Sequence, residues 1–221
     1  MIFITGCARS GTSMVAGIVA RCGAAGGDIC GATRWNPKGQ YENTEIRNSV
    51  IKPILRMLKA DPMGQKPLPD IESVKALLNG FPAETRSKID SIVRKQGMRD
   101  PWYFKGAKIC MLWPVWMRAY PEAHYIIARR PDELIIQSCI RTSFMKKRTT
   151  VDEWQEWIDY HKELFMEMAV YSPDNVHVVS TLDIVKGEYD SIRMIIEKVG
   201  LKWNQKAVES FVDKKIWNTV K

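Results

Sequence analysis

The chain has 221 residues, enough for one α/β domain with a sizeable core, and its 45% hydrophobic content excludes a disordered protein. Lys and Arg number 33 against 25 Asp and Glu, a net charge of +8 that favours an anionic ligand or partner. The basic residues are dispersed and accompany no nucleic-acid-binding motif, so nucleic acid is not the expected partner. Five cysteines, with no Cys-x-x-Cys pair and no Cys/His cluster, predict reduced thiols and no metal. The sequence opens directly on its first apolar run, and no apolar run reaches the ~18 residues needed to span a bilayer. These features predict a cytoplasmic protein without a membrane anchor; its oligomeric state is not encoded in any readable motif.

Residues 2–19 carry the strongest pattern. A short β-branched and aromatic run (Ile2, Phe3, Ile4) breaks at Gly6, a loop follows, and an apolar helical pattern runs through Met14, Val15, Ile18 and Val19. The loop matches the phosphate-binding pattern G-x-x-x-x-G-K-[ST] at Gly6, Gly11 and Ser13, with Thr12 in place of the lysine. Backbone N–H groups in such a loop, with a helix N-terminus behind them, suit an anionic oxygen cluster. Without the lysine, the loop is not expected to grip a β/γ-phosphate pair in the usual way. The nearest cation is Arg9, followed by the hydroxyls of Ser10, Thr12 and Ser13.

Residues 23–41 are glycine-rich and irregular, a loop expected at the same end of the sheet as the phosphate loop. Residues 42–60 predict a helix with Ile46, Val50, Ile54, Leu55 and Leu58 apolar, bent or interrupted at Pro53. A turn-rich connector over 61–70 leads to two short helices, 71–79 and 83–96, separated by Gly80-Phe81-Pro82. This helical insert, about 45–97, shows no strand pattern and reads as a cap over an active site within a single domain of 1–221. Strands are predicted at 102–105, 124–128 and 176–180. Helices are predicted at 132–145, 151–170, near 188–199 and 204–213, and after 105 with Ile109, Leu112 and Trp116 on one face. Strands alternating with helices argue for a parallel sheet covered on both faces.

The second informative stretch is 123–144. Arg129 and Arg130 follow a buried strand, and ligands of open α/β sheets bind at the C-terminal ends of strands. Two cations at the start of a helix oppose its dipole, which favours an anion nearby.

Arg9-Ser10-Gly11-Thr12-Ser13 resembles, position for position, the [KR]-S-G-T-[ST] 5′-phosphosulfate loop of the sulfotransferases. The segment 123–144 resembles their 3′-phosphate-binding element, a strand followed by R-x-P and a serine eight residues after the arginine. Anchoring on Pro131 selects Arg129, whereas anchoring on Ser138 selects Arg130; the expected set is Arg129 and Ser138, with Arg130 as the alternative. WNPKGQYEN (35–43) is similar to the N-P-x-G-[YF]-x-E segment of bacterial or phage-like members. FKGAKICMLWPVW (104–116) and residues 176–201 are similar to two later segments of the family, although Ser180 and Leu182 replace its tyrosine and glutamate. The order of these segments is the family's order.

The resemblance implies a P-loop NTPase-like three-layer α/β fold. It implies transfer of a sulfuryl group from 3′-phosphoadenosine 5′-phosphosulfate to a hydroxyl or amine, with adenosine 3′,5′-bisphosphate as product and a small molecule or glycan as acceptor. On that reading Arg9 and the Ser10, Gly11, Thr12 and Ser13 amides and hydroxyls face the leaving phosphate, and Lys105 is a second cation or a snorkelling strand-end lysine. Glu42 is the expected base, with stabilisation of a helix N-terminus as its competing role. His124 starts a strand, His161 lies within a helix and His177 is expected in the core, so none is the expected base. Lys214 and Lys215 could reach the 3′-phosphate or simply end a solvated helix. A P-loop small-molecule kinase with a degenerate loop, or a non-catalytic nucleotide- or nucleic-acid-binding module, are the competing readings.

Overall fold

The first three strands lack in/out alternation because both faces of the sheet are covered there, while the edge strand keeps one exposed position, Val178. In the computed structural model, which describes residues 1–216, β1 (Ile2–Thr5), β2 (Tyr103–Lys105), β3 (His124–Arg129) and β4 (Val176–Ser180) form one sheet. All pairings are parallel and the order is β2-β1-β3-β4. Phe3 pairs with Phe104 and with Tyr125, so three aromatic side chains stand abreast on one face. Ile2, Ile4, Tyr103, Ile126 and Ala128 point to the other.

Helices fill both sides. Val15, Ile18 and Val19 of α1 (Thr12–Arg21) pack on the Ile2/Ile4 face. The short α2 (Thr44–Ile46), α3 (Lys52–Met57) and α4 (Ile71–Lys75) lead to α5 (Phe81–Lys95) and α6 (Trp113–Ala119), all packing on the aromatic face. Next come α7 (Asp132–Arg141) and α8 (Val151–Tyr171), whose buried residues join that same core; α8 starts at a capping box of Thr150 and Glu153. The last helices, α9 (Thr181–Lys186), α10 (Asp190–Lys198) and α11 (Gln205–Phe211), return to the α1 face. The helix after β1 and the helix after β3 therefore leave on opposite faces, which opens a crevice at the strand C-termini. No helix among the described residues is long and apolar enough to cross a membrane.

All four predicted strands are present, and the helices differ in detail. The predicted 42–60 helix is α2, a π-turn over Arg47–Ile51, and α3. Pro53 has no N–H and its ring crowds the carbonyl four residues back, so the coil widens just before it. The helix expected after residue 105 begins as a 3₁₀ segment, Ala107–Leu112, before α6. The helix predicted to 145 ends at Arg141, and α9 was not foreseen: Ser180, at the end of β4, caps it by accepting the Asp183 N–H at 3.3 Å. Within the insert, α5 packs against α6 and is pinned there by Arg86, which donates to the Ala119 carbonyl (2.9 Å) and to Glu122 (2.7 Å). Only Arg47, Lys52 and Met63 of the insert reach the crevice.

Candidate active site

Gly6 ends β1, and the chain turns there because no side chain fits. A Cβ would lie 2.6 Å from the Ala128 carbonyl oxygen and 2.7 Å from Ser10 Oγ. The loop then takes left-handed conformations at Arg9 (φ 71°) and Gly11 (φ 95°). For a non-glycine residue such strain costs about 1–3 kcal/mol and persists where the surroundings enforce it. The enforcement is visible: the Thr181 hydroxyl bridges the carbonyls of Ser10 and Arg129, 2.8 Å from each. Gly11 is the N-cap of α1 and supplies no side-chain cap, so the first N–H groups of the helix point out of the loop.

The cations around this loop are tied into one cluster. Arg9 Nε donates to Ser138 Oγ (2.9 Å) on α7, and its Nη1 donates to the Trp35 carbonyl (3.2 Å). Arg130 Nη1 donates to the Arg9 carbonyl (3.0 Å). Burial lowers the pKa of the Arg9 guanidinium, and Arg141 adds to the effect. Arg130 is pushed down to about 10, by burial first and then by Arg9 and Arg141. A cation that is penalised for being charged is one that a bound anion would relieve. Ser10 Oγ is buried and has no hydrogen-bond partner among the described residues.

The crevice is a cavity of about 340 Å³. Arg130 lines it and Arg129 does not; a smaller hollow of about 180 Å³ adjoins it, bounded by Arg9, Trp35, Ser138, Arg141 and Thr142. Lys38 pairs with Asp213 at 3.9 Å. That leaves six cationic side chains on the wall (Arg9, Arg47, Lys52, Lys105, Lys108 and Arg130) around one carboxylate, Glu42.

Glu42 is only 7% exposed. Its carboxylate lies 3.8 Å from Lys108 Nζ and 3.9 Å from both Lys105 Nζ and Arg47 Nη1. Its Oε1 accepts no hydrogen bond among the described residues. Burial pushes the carboxyl upward, but Lys108, Lys105, Arg47 and Lys52 together outweigh it and hold the group below the usual glutamate value. Glu42 does not cap the following helix. Asn43 does, its side chain accepting the Ile46 N–H at 3.1 Å. Lys105 is buried at the end of β2, and burial lowers its pKa more than Glu42 raises it.

The remaining expectations fall as follows. Ser13 Oγ donates to the Gln40 carbonyl (3.1 Å), joining the phosphate loop to the loop before Glu42, and Thr12 is buried at the start of α1. His177 is half-buried on the edge strand rather than in the core, with its Nε2 3.1 Å from His124 Nδ1. His161 is fully buried, its Nδ1 2.6 Å from the Trp157 carbonyl. No histidine lines the cavity. Lys214 Nζ donates to the Lys186 carbonyl (3.2 Å), and neither it nor Lys215 lines a cavity. Sequence reasoning missed Arg47, Lys52 and Lys108. Lys108 could have been found as the second lysine of the FKGAK segment; the other two are hidden by helical spacing.

Residues 2–205 match the model of the sulfotransferase family. No curated protein matches the chain. Solved structures share the fold, two of them as follows. Sulfotransferase STF1 from Mycobacterium tuberculosis H37Rv aligns at a TM-score of 0.54 and 15% identity, over 95% of this chain and 70% of its own. The sulfotransferase domain of the Synechococcus PCC 7002 olefin synthase aligns at 0.58 and 14% identity, over all of this chain and 79% of its own.

Proposed function

Because the chain belongs to the sulfotransferase family, we propose that it moves a sulfuryl group from 3′-phosphoadenosine 5′-phosphosulfate to a hydroxyl or amine of a small molecule or glycan. One observation carries this reading: a lysine-less phosphate loop, Arg130 and a buried carboxylate line one cavity, and Ser138 lines a second that adjoins it and shares Arg9. The residues fit such a donor, since Ser10 Oγ is a buried hydroxyl without a partner and Arg9 and Arg130 are cations with lowered pKa.

The donor supplies an electrophilic sulfur and leaves as adenosine 3′,5′-bisphosphate. Arg9 and the N–H groups at the start of α1 would stabilise the charge that the leaving 5′-phosphate gains. Arg130 and Ser138 would hold the 3′-phosphate, with Arg130 preferred to Arg129 because it is the arginine that lines the cavity. Glu42 would take the acceptor's proton. It is ionised at neutral pH, as a proton acceptor must be, and the lysines and arginine that lower its pKa must turn toward the donor for it to act as a strong base. Lys105 and Lys108, next to Glu42, would balance charge at the transferring group.

Thermal shift with adenosine 3′,5′-bisphosphate, AMP and ATP, each with and without EDTA, tests the reading. The expected result is the largest shift with the bisphosphate, unchanged by EDTA. A larger shift with ATP that depends on Mg²⁺ would replace it with a kinase reading.

A further inference from the structure

The cation count of the cavity exceeds what a phosphosulfate donor engages. If Arg9 and Arg130 serve its phosphates and Lys105 and Lys108 its sulfuryl group, then Arg47 and Lys52 remain, with Asp213 held by Lys38 and Glu42 the nearest carboxylate. Lys108 and Arg47 each come within 4 Å of Glu42. Lys52 forms no ion pair within 4 Å among the described residues, and burial followed by Arg47, Lys108 and Arg56 lowers its pKa. The acceptor end of the cavity therefore keeps a positive surplus that its own residues do not neutralise.

The backbone concentrates that surplus. Arg47 and Lys52 are five residues apart, and in an α-helix they would point about 140° away from each other, five steps of about 100°. Here the Lys52 N–H bonds to the Arg47 carbonyl, closing a π-turn over Arg47–Ile51. The wider turn brings residues five apart toward one face, and both side chains line the cavity. Such single π-turns are rare and recur at functional sites. Apolar residues complete this end, with Met63, Phe144 and Met145 on the wall.

We infer that the acceptor carries an anionic oxygen group (carboxylate, phosphate or sulfate ester) besides the hydroxyl or amine that is modified, and that Arg47 and Lys52 hold that group. The inference rests on the sulfuryl-transfer reading. It separates this chain from an enzyme for neutral alcohols or neutral sugars, which would offer no charge to the two half-buried cations of the π-turn.

The experiment compares matched acceptors with labelled donor: hydroxy acids, sugar phosphates and sulfated sugars against their neutral parents. The charged member of a pair is expected to be preferred by about tenfold or more, the scale of a charge-assisted hydrogen bond. In Arg47→Gln and Lys52→Gln that preference collapses, because KM for the charged member rises, while affinity for adenosine 3′,5′-bisphosphate stays the same. A calorimetric arm needs no turnover. Inorganic sulfate is titrated into protein saturated with the bisphosphate, and its binding is expected to weaken by about tenfold in Arg47→Gln and Lys52→Gln. Equal use of neutral acceptors, or sulfate binding unaffected by both substitutions, overturns the inference and leaves sulfuryl transfer standing. Loss of bisphosphate affinity in the variants also overturns it and assigns these cations to the donor. Failure of the wild-type protein to bind the bisphosphate overturns the underlying reading instead.

Discussion

On the sulfuryl-transfer reading proposed above, the donor and acceptor ends of the cavity are built from different materials. The donor end is mostly backbone: a glycine that admits no Cβ, left-handed turns at Arg9 and Gly11, and the N–H groups at the start of α1. The acceptor end is mostly side chain: Glu42 on a loop, and Arg47 and Lys52 on an irregular helix. Backbone geometry of the first kind tolerates little change, because a side chain at Gly6 meets the Ala128 carbonyl and one at Gly11 meets Thr181, both at positive φ. The second kind can be altered one residue at a time, at the cost of a side-chain interaction only. One fold can therefore keep a donor site fixed while its acceptor site varies.

The largest test of that division is Glu42→Gln. Turnover with a hydroxyl acceptor is expected to fall by about 10²–10⁴-fold, the range for loss of a general base. Affinity for the bisphosphate is expected to hold or tighten, since a negative charge near the donor is removed. Stability should also change, because Glu42 balances Lys105, Lys108 and Arg47. The sign follows from its depressed pKa: the contribution is present above the ordinary glutamate value of 4.5 and is lost as pH falls through the lower native value. The Tm difference between wild type and variant should therefore be large at neutral pH and shrink below pH 4.5. Turnover within a few-fold of wild type would remove Glu42 from the chemistry and blur the line between the two ends.

Arg130→Ala tests the donor end at the side chain that follows β3 and donates to the phosphate loop. Discrimination between the 3′,5′-bisphosphate and AMP should fall by about 1.5–3 kcal/mol, the loss of a charged hydrogen bond. Arg129→Ala should leave it unchanged, since that side chain does not line the cavity. Isothermal titration with both nucleotides reads the difference, and a selective loss in Arg129→Ala instead would return the assignment to the Pro131-anchored register.

The same division explains what could be read from the sequence. The strands and the loop at Gly6 and Gly11 follow local rules, namely β-branched runs, forced glycine positions and hydroxyls at fixed spacing, so one dimension suffices. Glu42 was legible only through its place in the N-P-K-G-Q-Y-E segment; its three cationic neighbours come from residues 47, 105 and 108, a meeting that only the tertiary structure creates. Arg47 and Lys52 stayed hidden because a helical reading with 3.6 residues per turn sends them to different faces, and the π-turn before Pro53 departs from that period. The Arg129/Arg130 choice was ambiguous because Pro131 and Ser138 anchor the motif one residue apart, and only the tertiary structure shows that Arg130, just past β3, lines the cavity and donates to the Arg9 carbonyl. The insert reads as helical from its pattern, but its pattern does not say that α5 packs on α6 while only Arg47, Lys52 and Met63 reach the cavity.

Gly6→Ala strikes the backbone directly. The added methyl group meets the Ala128 carbonyl oxygen at 2.6 Å, at a φ of 149° that disfavours a side chain. A cost of about 2 kcal/mol is expected, a Tm lower by roughly 4–8 °C for a domain of this size. Bisphosphate affinity should drop with it, because the loop must move away from β3 to make room. An unchanged Tm would mean that the loop relaxes easily and that the donor end is less rigid than its contacts imply.

The smallest effect separates a ligand-binding hydroxyl from a structural one. Ser10 Oγ is buried and has no partner among the described residues, so in the ligand-free protein it costs stability rather than adding to it. Ser10→Ala removes that unsatisfied group, and the free protein should melt at the same temperature as wild type or slightly higher. If the hydroxyl serves the donor's 5′-phosphate, the variant should bind the bisphosphate more weakly by about 1 kcal/mol, roughly fivefold. The stabilisation that saturating ligand gives should shrink by the same amount. Opposite signs for the free and bound protein are the diagnostic result. A variant that loses stability without ligand and keeps its affinity would show that Ser10 braces the loop from within, and the donor's grip would then rest on Arg9 and the N–H groups of α1 alone.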